Sequence, residues 1–311
     1  MSAIPLDDRA IREFISQGYT LVQADQPPEF HRAISKKIDA TLDAEGNPGN
    51  NILPRVPELG AVFDSPSVKG ALHSLLGPGY SMHPHRYCHL NRPGSKGQNW
   101  HKDDYVFDSN ARHHRFRWLM AFYYPQDVDP TMGPTSIMPT RQFYNHISDP
   151  EPTKACEPEH KLCGPAGTVA LVNFDVWHRA TANTSNRKRH MLKFQFLRME
   201  EPVEPNGQCG NDDWQAMSDD AHPELSAHIW HWLEGVPQRA NGSAENEAEL
   251  LSALQDPSES RRLDAAYALG RLSESAVPAL IDALRAEAQA KAESGQAKSP
   301  ANVHGGNPAD L

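Results

Sequence analysis

Three features of the sequence predict an antiparallel β domain with helices before it and a small helical piece after it. Between residues 80 and 196 the chain runs as short apolar segments broken by Gly, Pro and Asn, the pattern of a sandwich or small barrel. Before Gly77 the apolar residues recur at helical spacing instead. Beyond Gly235 the composition shifts again, to Ala- and Leu-rich segments. With 311 residues the chain can hold one large β domain plus an accessory piece.

Taken in order, residues 7–17 carry apolar side chains at 11, 14 and 15 behind an Asp, which predicts a short helix ending at Gly18. Tyr19-Thr20-Leu21-Val22 then reads as a strand. A second helix is expected over 28–42 and a third over 65–76, stopped by Gly77-Pro78-Gly79. The clearest strands are 117–124, 136–138, 168–173, 177–181 and 191–199. Residues 222–232 predict a helix with Leu225, Ile229 and Leu233 on one side. His228 and His231 lie three apart on it, a spacing that could bind zinc, but without a nearby Cys or third His packing is the simpler expectation. The β region and the helices around it are thus expected to form one unit, residues 1–235, with the β core at about 80–200. Residues 236–246 read as a linker and 247–286 as three short helices, at 247–254, 260–272 and 276–286. Residues 287–311 hold too little apolar surface to fold and are expected to be a disordered tail.

The net charge of −10, from 40 acidic and 30 basic residues, argues against nucleic acid as a partner. No 18-residue apolar stretch exists, so no membrane span is expected. The first eight residues lack the basic and apolar regions of a signal peptide, and the expected location is cytoplasmic. Cys88, Cys156, Cys163 and Cys209 have no paired or metal-type spacing and are expected to be reduced thiols. Against the acidic background, residues 83–117 are rich in His, Lys and Arg. That asymmetry suits either the entrance for an anionic ligand or a solvated face paired with acids elsewhere. Neither His83/His85 nor His113/His114 is expected to form a second metal site.

The chemistry is carried by Trp100-His101-Lys102-Asp103 and, 75 positions after Asp103, by Trp177-His178, with Arg189 eleven residues further on. Two imidazoles and one carboxylate can occupy one face of a ferrous ion and leave three positions open for a chelating oxo-acid and O2. In extended chain, residues i and i+2 share a face, so His101 and Asp103 can reach one metal while Lys102 turns away. The third ligand must come from a strand distant in sequence, and His178 follows the apolar run 168–172. A His-x-Asp pair in a chain with 16 histidines is weak by itself; the surrounding text makes it strong. Gly133-Pro134-Thr135-Ser136-Ile137-Met138-Pro139, Gly164-Pro165-Ala166-Gly167-Thr168-Val169, Trp177-His178, Asn183-Thr184-Ser185 and Arg187-Lys188-Arg189 follow in order.

Over roughly residues 10–200 this succession resembles the phytanoyl-CoA dioxygenase family of iron(II)/2-oxoglutarate oxygenases. The resemblance implies a mainly β fold with flanking α, namely a double-stranded β-helix (jelly-roll, cupin-like) core. It implies His101, Asp103 and His178 as iron ligands, with Fe(II), 2-oxoglutarate and O2 as cofactor and co-substrates and succinate and CO2 as products. It implies Arg189 as the partner of the distal 2-oxoglutarate carboxylate, a role suited to a rigid, permanently charged two-pronged donor. Arg187 shares its strand parity and is the alternative. Two departures stand out. Where the family carries a small hydroxyl residue two positions after the distal histidine, this chain has Ala180. Where the family reads Pro-Gly-Ser-His, it has Pro139-Thr140-Arg141-Gln142, which sets a charged Arg141 near the mouth of the site. An intact Asp103 favours hydroxylation or another oxidation of a small, possibly anionic organic substrate over chlorination, because halogenating relatives lack that carboxylate. The alternatives are a non-catalytic interaction protein on a retired oxygenase fold, and a cupin-like metalloenzyme that uses no 2-oxoglutarate.

Residues 247–286 resemble a single HEAT repeat. A solitary repeat cannot bury both its faces, so it is expected to lean on the oxygenase unit or on a second subunit, making a homo-oligomer through these helices possible.

Overall fold

The computed structural model describes residues 2–103, 114–144, 159–205, 214, 217, 220–236, 246–272 and 274–294. Cys156, Cys209, His113, most of the 236–246 linker and the tail beyond residue 294 lie outside the described residues.

The first helix, α1 (Asp8–Gln17), begins where the sequence expects. The Asp7 carboxylate accepts the Ala10 N–H at 2.8 Å, and Gly18 ends the helix in the left-handed region at φ 80°. A Cβ at Gly18 would also meet Gln142 Oε1 at 2.7 Å. Gln142 is buried there because its amide donates to the Ile15 and Ser16 carbonyls, each at 3.1 Å, closing the end of α1. Strand β1 (Tyr19–Gln23) follows, then α2 (Pro28–Glu45), the short α3 (Ile52–Arg55) and α4 (Leu59–Phe63), and α5 (Pro66–Leu76). Helices of four and five residues are too short to show a period, which is why α3 and α4 were not legible.

The β region holds β2 (Ser81–Met82), β3 (Tyr87–Asn91), β4 (Trp118–Tyr123), β5 (Thr135–Ile137), β6 (His160–Lys161), β7 (Thr168–Asn173), β8 (His178–Ala180) and β9 (Arg189–Leu197). All described pairings are antiparallel. A six-stranded sheet runs β1-β7-β4-β9, with β2 and β3 end to end along the far edge of β9, and a three-stranded sheet runs β6-β5-β8.

The large sheet is buried on both faces, so its strands read as continuous apolar runs such as the fully buried β7. Alternation still sorts the side chains. Leu119, Ala121 and Tyr123 of β4, Val169 and Leu171 of β7, and Leu192, Phe194 and Phe196 of β9 pack with the helices. Met120 and Phe122, Ala170 and Val172, and Met191 face the small sheet, with Ile137 and Leu162. Each layer excludes water from one face of the sheet, and the inward face of β9 is left to line a cavity.

After the sheets comes α6 (Pro223–Leu233), whose Leu225 and Ile229 are fully buried as its periodicity predicts. Three helices close the chain: α7 (Glu247–Ala253), α8 (Glu259–Leu272) and α9 (Val277–Ser294). The last runs past residue 286 to Ser294, carried by the good helix formers of Ala-Glu-Ala-Gln-Ala-Lys-Ala. These helices share a small core of Leu254, Ala265, Leu269, Ala276 and Ala283. Helix α8 also docks on the rest of the protein. Leu263 joins the main core, His222 Nδ1 lies 2.6 Å from Asp264 Oδ1, the Tyr267 hydroxyl lies 2.8 Å from His114 Nδ1, and Arg271 pairs with Glu224. Among the described residues no helix is long and apolar enough to cross a membrane.

Candidate metal centre

The inward faces of β3, β4, β5, β8 and β9 enclose a cavity of about 430 Å³. Its wall includes His101, Asp103, His178 and Arg189, so all four candidate site residues meet in one place. The join is made by the backbone. His101 and His178 form an isolated antiparallel bridge, with N–H to carbonyl distances of 3.1 and 2.9 Å. One ligand atom from each of His101, Asp103 and His178 lies within 4.8 Å of the other two, and no other such group occurs among the described residues.

Both imidazoles are held in the same way. His101 Nδ1 lies 2.9 Å from the Asn99 carbonyl and His178 Nδ1 lies 3.1 Å from the Val176 carbonyl. A carbonyl can only accept, so each Nδ1 carries a proton. His178 Nε2 faces Asp103 Oδ1 at 3.9 Å. Burial pushes the His178 imidazole down to about 4, which keeps it neutral, as a metal ligand must be. The fit to a divalent ion is therefore chemical as well as spatial: two imidazoles and a carboxylate converge, the donor set of a facial triad.

The other oxygen of Asp103 is engaged as well. Lys193 Nζ donates to Asp103 Oδ2 at 2.7 Å, and the two side chains are only 10% and 11% exposed. Burial works against the Asp103 charge, and neighbouring His178 and Lys193 outweigh it, so the carboxyl sits below its ordinary range.

Arg189 lies on the same inward face of β9, four residues before Lys193 and so roughly 13 Å along the strand. It is 1% exposed, and its Nε and Nη2 both donate to the Gly133 carbonyl, the first at 3.1 Å. Nη1 is buried with no protein partner. A buried guanidinium nitrogen left unpaired is costly unless something else completes it, and a carboxylate is its natural complement. Gly133 makes this approach possible: at φ 68° it turns left-handed, and a Cβ would meet Asn91 Nδ2 at 2.2 Å. Arg187 stands elsewhere. Its side chain is 53% exposed and pairs with Asp129.

Other expectations sort in the same geometry. Asn183 is buried, its amide donating to the Asn91 and Arg187 carbonyls at 3.1 and 2.8 Å, while its Oδ1 accepts from Ser185, so Asn183-Thr184-Ser185 is the turn that launches β9. Arg141 lies over the Tyr144 ring at 5.0 Å, away from the cavity wall. Of the basic segment, His89 and Lys96 line the cavity, whereas Arg117 pairs with Glu201 on the surface. His83 accepts the His85 N–H at 3.2 Å, and His228 packs against the Tyr267 ring. Among the residues of the cavity wall, Lys193 was not singled out in the sequence. Strand parity was the available signal, since Lys193 is i+4 from Arg189.

No curated protein sequence matches the chain. Among solved structures, the α-ketoglutarate-dependent carbocyclase SnoK from nogalamycin biosynthesis superimposes with a TM-score of 0.52 at 18% identity, covering 76% of this chain and 96% of that one. EctD from S. alaskensis, with 2-oxoglutarate and 5-hydroxyectoine, gives 0.52 at 16% identity over 67% and 82%. HygX from Streptomyces hygroscopicus, with nickel and 2-oxoglutarate, gives 0.51 at 12% identity over 70% and 97%. At such identities the likeness is one of fold. The sequence itself matches the model of the phytanoyl-CoA dioxygenase family over residues 12–191, more than half of its length, and the chain belongs to that family.

Proposed function

We propose that His101, Asp103 and His178 hold the iron of this enzyme and that Arg189 anchors 2-oxoglutarate. The class of enzyme follows from the family: a non-heme Fe(II)- and 2-oxoglutarate-dependent dioxygenase that consumes O2 and releases succinate and CO2 while oxidising a small organic substrate. Iron supplies the oxygen chemistry when bound. The chain's own residues orient two imidazoles, present one carboxylate oxygen, and set a buried cation at the far end of the cavity.

One observation carries the assignment. The three ligand atoms converge in the same cavity whose wall holds a buried arginine nitrogen without a protein partner. EctD and HygX have 2-oxoglutarate in structures of this fold, which supports the same co-substrate here. The intact Asp103 supports hydroxylation or a related oxidation over halogenation. Lys96 on the wall favours an anionic substrate. We read α7–α9 as one HEAT-like repeat with a structural role, through α8 docking and, at the α9 face where Val277, Ile281 and Leu284 are exposed, through self-association. A cytoplasmic location fits this reading.

The test is direct. The metal-free protein should bind one Fe(II) anaerobically and turn over 2-oxoglutarate slowly without substrate. His101→Ala and Asp103→Ala should each abolish that turnover. Fe(II) binding that persists unchanged in a His101→Ala/His178→Ala double variant rules the assignment out.

A further inference from the structure

We infer that helix α8 fixes the shape of the metal centre through a buried chain of hydrogen bonds, Asp264–His222–Tyr144, that ends on the two ligand-bearing segments. Tyr144 and His222 are then positioning residues of the site, and the C-terminal helices shape it as well as stabilise the fold. The inference rests on the reading of His101, Asp103 and His178 as the metal ligands.

Each ligand imidazole is oriented by a backbone carbonyl, and the His101–His178 bridge sets those two residues together. Asp103 differs, because it lies two residues beyond the bridge and outside the named strands. Its backbone is tied to that of His178 by the turn 138–144. Lys102 Nζ, between the first two ligands, donates to the Gln142 carbonyl at 2.9 Å and lies 5.6 Å from the Trp177 ring centroid. Trp177, next to His178, is held at two points. Its carbonyl accepts the Met138 N–H at 3.0 Å, and its indole Nε1 donates to the Tyr144 carbonyl at 3.0 Å. The turn therefore spans both segments.

Tyr144 is in turn set from α8. It is 5% exposed, and its hydroxyl is hydrogen-bonded to His222 Nε2 and to the Ser260 side chain of α8. His222, 1% exposed, continues from Nδ1 to Asp264 Oδ1 at 2.6 Å, and its N–H donates to Asp220 Oδ1 at 2.9 Å. Phe143 packs edge-on against the same imidazole, with centroids 5.9 Å apart. In a buried network whose members are paired, no group shifts without leaving another unsatisfied, so one arrangement is held. The turn shows that constraint in its backbone: Thr140 is β-branched and yet left-handed at φ 68°, which persists only where the surroundings over-determine it. Gln142 supplies a second hold, from the end of α1. His222, Ser260 and Asp264 all lie beyond the stretch that places the chain in its family.

The test uses the full chain loaded with Co(II), whose visible spectrum reports the number and geometry of its ligands. Tyr144→Phe keeps the ring and removes the hydroxyl. It should alter that spectrum and weaken Co(II) binding about tenfold, the usual effect of losing a group that orients a metal ligand. Trp177→Phe, which removes the indole donor, should do the same. In the Trp177→Phe background, Tyr144→Phe should add less than about twofold, because the link is already cut. Leu72→Ala, in the core of α5, is the control for stability alone: it should lower the melting point and leave the spectrum unchanged. Asp264→Ala, at a side chain 39% exposed, should shift the spectrum in the same direction as Tyr144→Phe and serves if that variant does not fold. A parent-like spectrum with Co(II) affinity within twofold in the variant tested overturns the inference. Independent effects of Tyr144→Phe and Trp177→Phe also overturn it, as does the same spectral change in Leu72→Ala. Co(II) binding that is unchanged in a His101→Ala/His178→Ala double variant removes the metal-site reading itself, whatever Tyr144→Phe shows.

Discussion

His101 and His178 face each other across a two-bond backbone bridge, with ring centroids 4.4 Å apart. The bridge joins His101, outside the named strands, to His178 at the start of β8, and it decides the geometry of the site. It sets two imidazoles side by side and leaves Asp103, two residues on, within 3.9 Å of His178. Each ring is then fixed by a carbonyl two residues upstream of it, so neither depends on a side chain that could move.

Arg189 and Arg187 differ by two positions and should differ sharply in function. Arg189→Ala removes the buried guanidinium and should raise the apparent 2-oxoglutarate Km at least about tenfold, because a charge-assisted pair shielded from water is worth roughly 1.5–3 kcal/mol. Arg187→Ala, which breaks a half-exposed pair with Asp129, should change it less than about threefold. Steady-state kinetics on both variants check this, and reversed effects would move the anchor to Arg187.

Lys193 and Asp103 form a buried ion pair in the metal-free protein. Lys193→Met leaves the carboxylate buried without its ammonium and should destabilise that form by about 3 kcal/mol, the usual cost of removing one partner from a buried pair. A divalent metal supplies the missing positive charge, so adding Ni(II) should recover much of the loss. Urea midpoints with and without metal measure both effects; equal destabilisation in the two states would contradict the account.

His89 should make the metal-free protein sensitive to mild acid. Burial, with Lys193 and Arg189 adding, pushes its imidazole from 6.5 down to about 4. The folded-state value is depressed, so between pH 6.5 and about 4 the unfolded chain takes up a proton that the folded chain refuses. Stability is therefore full above 6.5 and falls as the pH drops through that window, by roughly 2 kcal/mol at pH 5. His89→Leu should flatten this part of the profile, as read from denaturant midpoints at pH 7.5 and pH 5. An unchanged slope would show that other groups carry the acid sensitivity.

The C-terminal helices should matter to stability through α8. Leu263 is 4% exposed in the main core, so Leu263→Ala should cost about 2–5 kcal/mol. Tyr267→Phe, which removes the bond to His114, should cost about 1 kcal/mol. A chain ending near residue 239 should melt lower than the full chain while still binding one Fe(II). Unchanged melting together with unchanged mass in solution would mean that α8 contributes nothing to the oxygenase unit and that α9 is not an assembly surface.

Local chemistry made much of this protein legible in its sequence. Asp7 and Gly18 mark the ends of α1 because a cap side chain and a left-handed residue act within one turn, and the 168–173 run declares β7 because a strand buried on both faces needs apolar residues throughout. The ordered succession of His101, Asp103, His178 and Arg189 already named four residues that the fold brings to one cavity. Strands of two or three residues, such as β2, β5 and β6, carry too few side chains to show a period and appear only through their partners. Strand parity did not separate Arg189 from Arg187, and only the spacing after His178 and the resemblance favoured Arg189. The Asn183–Ser185 turn sets the two apart in space, leaving Arg187 outside the ladder and starting β9 with Arg189 facing inward. Thr135, His89 and Lys193 became cavity residues for the same reason: which side chains meet across strands depends on register, and register is set by hydrogen bonds between segments far apart in the chain.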